Sequence, residues 1–235
     1  MKLLYDMHTH ILPGVDDGAR NIDESLTLIN RLSCAGITDI CLTPHYYTHR
    51  ESLTDFLKRR TTAFHELSSY VSDDVNLHLG AEVYVTKYLF SNEDDLKKVC
   101  YKGTSYMLTE FPYSSHFEGE SMVYINKLIN NYGITPVLAH VERYPYLLKH
   151  INVIEELIDM GMLIQTNACS FAEFSLKLKL TKLIKNGYIH LVGSDAHSLN
   201  RNTPDAYNNL NDHIIKKLNP SVISDINNTS ANILK

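Results

Sequence analysis

The chain has 235 residues, 44% of them hydrophobic and 21% charged, with a formal net charge of −5. That length suits one sizeable core and a single domain over 1–235, and a negative balance without a contiguous Lys- or Arg-rich run excludes a surface that tracks nucleic-acid phosphates. No apolar stretch approaches the ~18 residues of a membrane span and no leader-like segment opens the chain, so a cytoplasmic protein is expected.

Seven short apolar runs alternate with helical patterns. Strands are predicted over 3–7, 37–43, 75–84, 105–109, 134–139, 162–166 and 189–192, each bounded by Gly, Pro or a polar turn. A first helix is predicted from Asn21, where Asn21 and Glu24 form a capping-box pattern, to Gly36. Others fit 54–71, 119–132, 151–160, 170–185, 203–218 and 220–227, with a short helical turn over 94–99. Strands of this length alternating with helices imply β-α units and a parallel sheet, most simply a barrel or near-barrel of seven strands.

Metal-competent side chains stand at the ends of these runs. The first is followed by His8 and His10, spaced so that both imidazoles share one face of a strand. His45, Glu82, Glu110 and His140 end the next four, Asn167 the sixth, and Asp195 with His197 the seventh. In a β/α barrel such strand ends meet on one face, where active sites are assembled. His49, His65, His78, His116, His150, His190 and His213 have no such placement and are read as surface or core residues. With Asp17 from the first loop, the set is five histidines and four carboxylates. That donor chemistry suits Mn, Fe or Zn over a thiolate-selecting site, and it is large enough for three divalent ions. Three dications against four carboxylates favour an anionic substrate such as a phosphate.

Cys34, Cys41, Cys100 and Cys169 lack the paired spacing of a zinc finger or disulfide framework. A cysteine-nucleophile phosphatase wants Arg six positions after its Cys. Here those positions hold Ile40, Tyr47, Tyr106 and Ser175, so the cysteine route is absent.

The pattern His8-x-His10, Pro44-His45, Glu82, His140 and Asp195-x-His197 resembles the polymerase-and-histidinol-phosphatase (PHP) superfamily of phosphoesterases. The stretches 8–19, 43–45, 80–84, 110–112, 139–144 and 194–197 are similar to the bacterial PHP-type tyrosine phosphatases of capsule and exopolysaccharide loci. The resemblance implies a distorted seven-stranded barrel with three metals, usually manganese, at the C-terminal face of the strands. His8, His10, Glu82 and Asp195 would hold one ion, and Glu82 would bridge to a second held by Glu110 and His140. Asp17, His45 and His197 would hold the third, Asp17 being preferred to Asp16 for its offset from His10. Arg143 and Arg201 are the phosphate-gripping candidates.

The implied reaction is hydrolysis of phosphotyrosine on a protein by a metal-activated hydroxide, and the implied partner is the tyrosine-rich tail of a capsule-regulating tyrosine kinase. The resemblance admits a homo-oligomer. Three rivals are a histidinol-phosphate or other small-molecule phosphomonoesterase, a barrel amidohydrolase, and a metal-stabilised binding domain without catalysis. Arg20, Tyr46 and Tyr47 are assigned to packing or surface roles, with shaping of substrate access as the alternative.

Overall fold

The computed structural model describes residues 2–91 and 95–235. Its strands all pair in parallel, in two sheets that curl around one concave side. The first has the order β1 (Tyr5–Thr9), β2 (Asp39–Leu42), β4 (Asn76–Leu79). The second runs β3 (His45–Tyr46), β5 (Glu82–Tyr84), β6 (Tyr106–Glu110), β7 (Thr135–Leu138), β8 (Leu163–Asn167), β9 (Leu191–Gly193).

Where seven runs are expected, nine shorter strands are observed among the described residues, because the run over 75–84 is split in two and a further short strand follows the run over 37–43. The first break is at Thr43-Pro44. Thr43 turns its hydroxyl onto the backbone of Thr9, and Pro44 has no N–H for a ladder. The second is at Gly80-Ala81, where a Cβ on Gly80 would lie 3.0 Å from Tyr101 and 3.1 Å from Thr43. Backbone bonds also join the first and last strands, from Asp195 N–H to His8 O (2.8 Å) and from His10 N–H to Ala196 O (2.9 Å).

The helices are α1 (Ile22–Cys34), α2 (Leu53–Ser68), α3 (Glu120–Asn126), α4 (Ile151–Asp159), α5 (Phe174–Lys185), α6 (Ala206–Lys217) and α7 (Pro220–Ile233). Asn21 caps α1 by accepting the Glu24 N–H at 2.9 Å, which contributes about 1 kcal/mol. The reciprocal half of the capping box is absent, because the Glu24 carboxylate takes the N–H and Nε–H of Arg20 instead.

The helix expected over 119–132 changes pitch. Lys127–Asn131 is a π-helical turn, and Tyr132 N–H reaches back five residues to Lys127 O. The one expected from residue 170 begins at Phe174, since Ala168–Ala172 winds as a 3₁₀ turn whose Ser170 hydroxyl donates to Glu142. The short turn expected over 94–99 is a 3₁₀ turn at Leu96–Val99; position 94 lies outside the described residues. Helix α7 runs six residues past the expected end. Its polar Asn227 is a buried part of the packing, taking the Leu4 N–H and donating to Lys2 O.

The main core lies between sheet and helices. A second cluster, Met7, Cys41, Tyr101, Leu108, Val137, Ala139, Leu191 and Ile233, is drawn from strands on all sides and fills the concave side. It is apolar apart from the Tyr101 hydroxyl, which donates to Met7 O at 2.8 Å.

Candidate metal centre

Strand β1 carries the first two histidines, and its pairing with β2 slips between Asp6 and Thr9. Such an irregularity re-aims side chains. Met7 joins the concave apolar cluster, yet the next residue, His8, also turns into the site. Strand β9 passes so close that a Cβ on Gly193 would be 2.4 Å from the His8 Cβ. The His8 and His10 Nε2 atoms stand 3.0 Å apart, and each is 3.3 Å from Glu82 Oε2. Asp195 Oδ1 lies 3.6 Å from the first and 3.3 Å from the second. All four residues are fully buried.

Glu82 is the hub. Its Oε1 is 2.7 Å from His140 Nε2, and its Oε2 also lies 2.9 Å from His45 Nδ1, so one carboxylate faces four imidazoles. Burial works against its charge, but His8 and its neighbours hold the carboxyl well below the usual range. Glu110 approaches from β6, with Oε1 3.6 Å from His140 Nε2, and accepts the Tyr113 hydroxyl at 2.6 Å. His140 and Asp195 both adopt left-handed backbone, φ +35° and +54°. Each such non-glycine residue costs roughly 1–2 kcal/mol, which places local strain at the site.

Asp17 stands at the outer edge, its side chain 55% exposed. Its Oδ1 is 3.6 Å from both His45 Nε2 and His197 Nε2, and its Oδ2 accepts Arg201 Nη1 at 2.7 Å. Asp16, one residue earlier, is nearly enclosed and does something else. Its carboxylate takes His10 Nδ1 at 2.7 Å, the His45 N–H at 2.9 Å and the Gly18 N–H at 3.0 Å. These contacts turn His10 so that Nε2 faces Glu82. Burial disfavours its charge, yet His10 and the His45 amide keep its pKa below the ordinary carboxylate value.

The donors fit a cation. His197 Nε2 is buried with no hydrogen-bond partner, although Asp17 stands before it, and burial lowers the His197 pKa to about 4. Two imidazole nitrogens facing each other beside two carboxylates likewise leave lone pairs that a cation would satisfy. Three groups have donor atoms within 4.8 Å of one another: His10 with Asp17, His45 and His197; His8 with His10 and Glu82; and His45 with Glu82 and Glu110. All nine expected side chains therefore converge. The grouping differs from the expected partition in that His10 and His45 are each shared between two sets, while His140 and Asp195 fall in none of the three and reach the cluster through Glu82 and through His8 and His10 respectively.

Both arginines border the cluster. Arg143 is one-third exposed, with Nη1 donating to the Tyr113 hydroxyl (3.2 Å) and Nη2 to Asp195 Oδ2. Arg201 pairs with Asp17. Beside His45 and Asp17 opens a cavity of about 480 Å³, also lined by Tyr47, Arg50 and Arg59. Of the access candidates, Tyr46 is buried, Arg20 pairs with Glu24, and Tyr47 borders this cavity.

Several residues that hold the site in shape went unassigned in the sequence. Gln165 Oε1 accepts the His140 N–H at 2.6 Å. Asn167 and Asn202 donate to Asp195 Oδ2 at 2.9 and 3.0 Å. Buried Glu142 gathers Thr166, the Asn167 N–H and Ser170. Asp6 accepts the Ser194 and His8 amides. Only Asn167 has a sequence signal, as the residue that ends the sixth predicted strand; the rest come together only through tertiary pairing.

The family model for capsular polysaccharide synthesis, CpsB/CapC, matches residues 4–235. The chain belongs to the CpsB/CapC family. The putative tyrosine-protein phosphatase CapC of Staphylococcus aureus is 30% identical over 205 residues, 83% of this chain and 78% of that protein. Tyrosine-protein phosphatase CpsB of Streptococcus pneumoniae is 30% identical over 215 residues, 86% of each. A chain from the crystal structures of YwqE from Bacillus subtilis and CpsB from Streptococcus pneumoniae, described as unique metal-dependent tyrosine phosphatases, has the same fold. Its TM-score is 0.79 at 21% identity, covering 98% of this chain and 94% of its own length. The CpsB/CapC match thus spans every element that contributes to the cluster.

Proposed function

We propose that this CpsB/CapC-family chain is a metal-dependent protein-tyrosine phosphatase. The observation that supports it most is Glu82, a single buried carboxylate facing His8, His10, His45 and His140, the arrangement of a ligand that bridges ions. The relatives named as tyrosine phosphatases supply the reaction class. On this reading the nine strand segments form seven runs closed into one distorted barrel domain, with the metals at the C-terminal ends.

His8, His10, Glu82 and Asp195 hold one ion, Glu82, Glu110 and His140 a second, and Asp17, His45 and His197 a third, with manganese the first choice and iron or zinc the alternatives. When bound, such ions supply a nucleophile near neutral pH and neutralise charge on the phosphoryl oxygens. The chain's own residues do the rest. Asp16 orients His10, and Asn167 and Asn202 orient Asp195. Arg143 and Arg201, which lean on Asp195 and Asp17, swing their remaining N–H groups onto the phosphate. The phenolate leaving group has an ordinary pKa of about 10 and needs little protonation. The substrate is a phosphotyrosine protein, the tyrosine-rich tail of a capsule-regulating kinase, met in the cytoplasm.

Metal analysis of the purified protein together with Mn-dependent turnover of a phosphotyrosyl peptide tests the proposal, with histidinol phosphate as the competing substrate. Less than one ion per chain and no turnover after adding Mn would overturn it. Chelation with EDTA removes activity, whereas thiol alkylation spares it, since Cys41 and Cys100 are buried and their thiol pKa values pushed up by burial.

A further inference from the structure

Helix α5 has two unlike faces. Leu180, Leu183 and Ile184 are buried against the body of the protein. On the other side Phe174 is 75% and Leu178 57% exposed. They stand four residues apart, adjacent on the helix surface, and are the only large exposed hydrophobics among the described residues that share one element. Neither contributes to the core, so folding does not account for their exposure.

The charge of this helix departs from the rest of the chain. Its twelve residues contain Lys177, Lys179, Lys182 and Lys185 and no acid, in a protein whose net charge is −5. Leucine and threonine interleave the lysines, so they form no contiguous basic run. In three dimensions exposed Lys182 and Lys185 continue the stripe begun by Phe174 and Leu178, and exposed Lys179 flanks it.

We propose that this face of α5 docks the protein onto an anionic lipid bilayer. A convex helix that presents a bulky aromatic and a leucine, with lysines beside them, is built for a soft plane of negative headgroups over an apolar layer. Phe174 and Leu178 sink below the headgroups and the lysines pair with lipid phosphates. A second copy of this chain is a poorer occupant, because a two-fold contact through α5 sets lysines against lysines. The inference is independent of the phosphatase reading.

Co-sedimentation of the full chain with phosphatidylcholine vesicles, with and without phosphatidylglycerol, tests it. Binding is expected only with phosphatidylglycerol and is released by high salt. The double variant Phe174→Ser/Leu178→Ser abolishes it. At about fivefold per lysine, the triple variant Lys179→Gln/Lys182→Gln/Lys185→Gln weakens it about a hundredfold. Both variants keep the wild-type melting temperature and metal content, since the altered side chains are exposed. No binding to phosphatidylglycerol vesicles, equal binding to neutral ones, or unchanged binding by the double variant overturns the proposal. So does capture of a polyglutamate peptide in place of vesicles, or concentration-dependent self-association that Phe174→Ser removes.

Discussion

The inner and outer halves of the cluster are built by different means. Inside, His8, His10, Glu82, His140 and Asp195 sit in strands or within two residues of one, are buried, and are locked by neighbouring backbone; Gly193 has no room even for a Cβ against His8. Outside, Asp17, Arg201 and Arg143 come from loops, keep part of their surface in water and bond chiefly to one another or to a carboxylate. The inner half is positioned by the fold itself. The outer half is held by partly exposed ion pairs, which on the proposed reading would be exchanged for a substrate's phosphate.

The largest expected effect probes the inner half. Chelation, or His8→Ala, takes phosphotyrosyl-peptide hydrolysis to background, and adding Mn back restores only the chelated wild type; a His8→Ala enzyme that recovers with Mn would break the contrast. Next is Arg143→Ala, which should lower kcat about 10²–10³-fold, as loss of a donor to a developing charge does, while metal content by elemental analysis stays near wild type.

Asp16 and Asp17 sharpen the contrast, being adjacent in sequence and on opposite sides of it. Asp17→Ala should remove a ligand and abolish the third ion. Asp16→Ala should cost about 10–100-fold in metal affinity, the usual effect of losing a group that orients a ligand. Metal titrations showing Asp16→Ala the more damaging would exchange their roles.

The smallest effect is on stability. Asp6 is buried with Oδ2 unpartnered, and burial raises its pKa to about 6. The folded chain therefore holds a proton that the unfolded chain releases above its ordinary value of about 4. Its contribution is full below that value and is lost as pH rises through about 6. In the chelated protein, Asp6→Asn should flatten the fall in denaturant stability between these limits relative to wild type.

Much of the fold was legible because each strand run is short, largely apolar and stopped by Gly, Pro or a polar residue, while each helix repeats its apolar spacing. Eight of the nine candidate ligands could be named because each stands at or near the end of a predicted strand run, and parallel strands deliver their C-terminal ends to one place; in the structure His45 and Glu82 open the short strands β3 and β5, and Asp17 lies in the first loop. The breaks at Thr43-Pro44 and Gly80-Ala81 were less legible, since they depend on Thr9 and Tyr101, distant in sequence. The length of α7 was hidden by Asn227, polar in sequence but buried by its bonds to Lys2 and Leu4.

By itself, then, the sequence determined the parallel α/β plan and which side chains gather at its one polar end, because both follow from local periodicity and strand direction. Only the tertiary structure decided how those side chains divide their work: that Glu82 is the hub, and that Asp16 serves His10 while Asp17 faces His45 and His197. Those outcomes depend on distances of a few ångströms between residues far apart in the chain, and no spacing along the sequence encodes them.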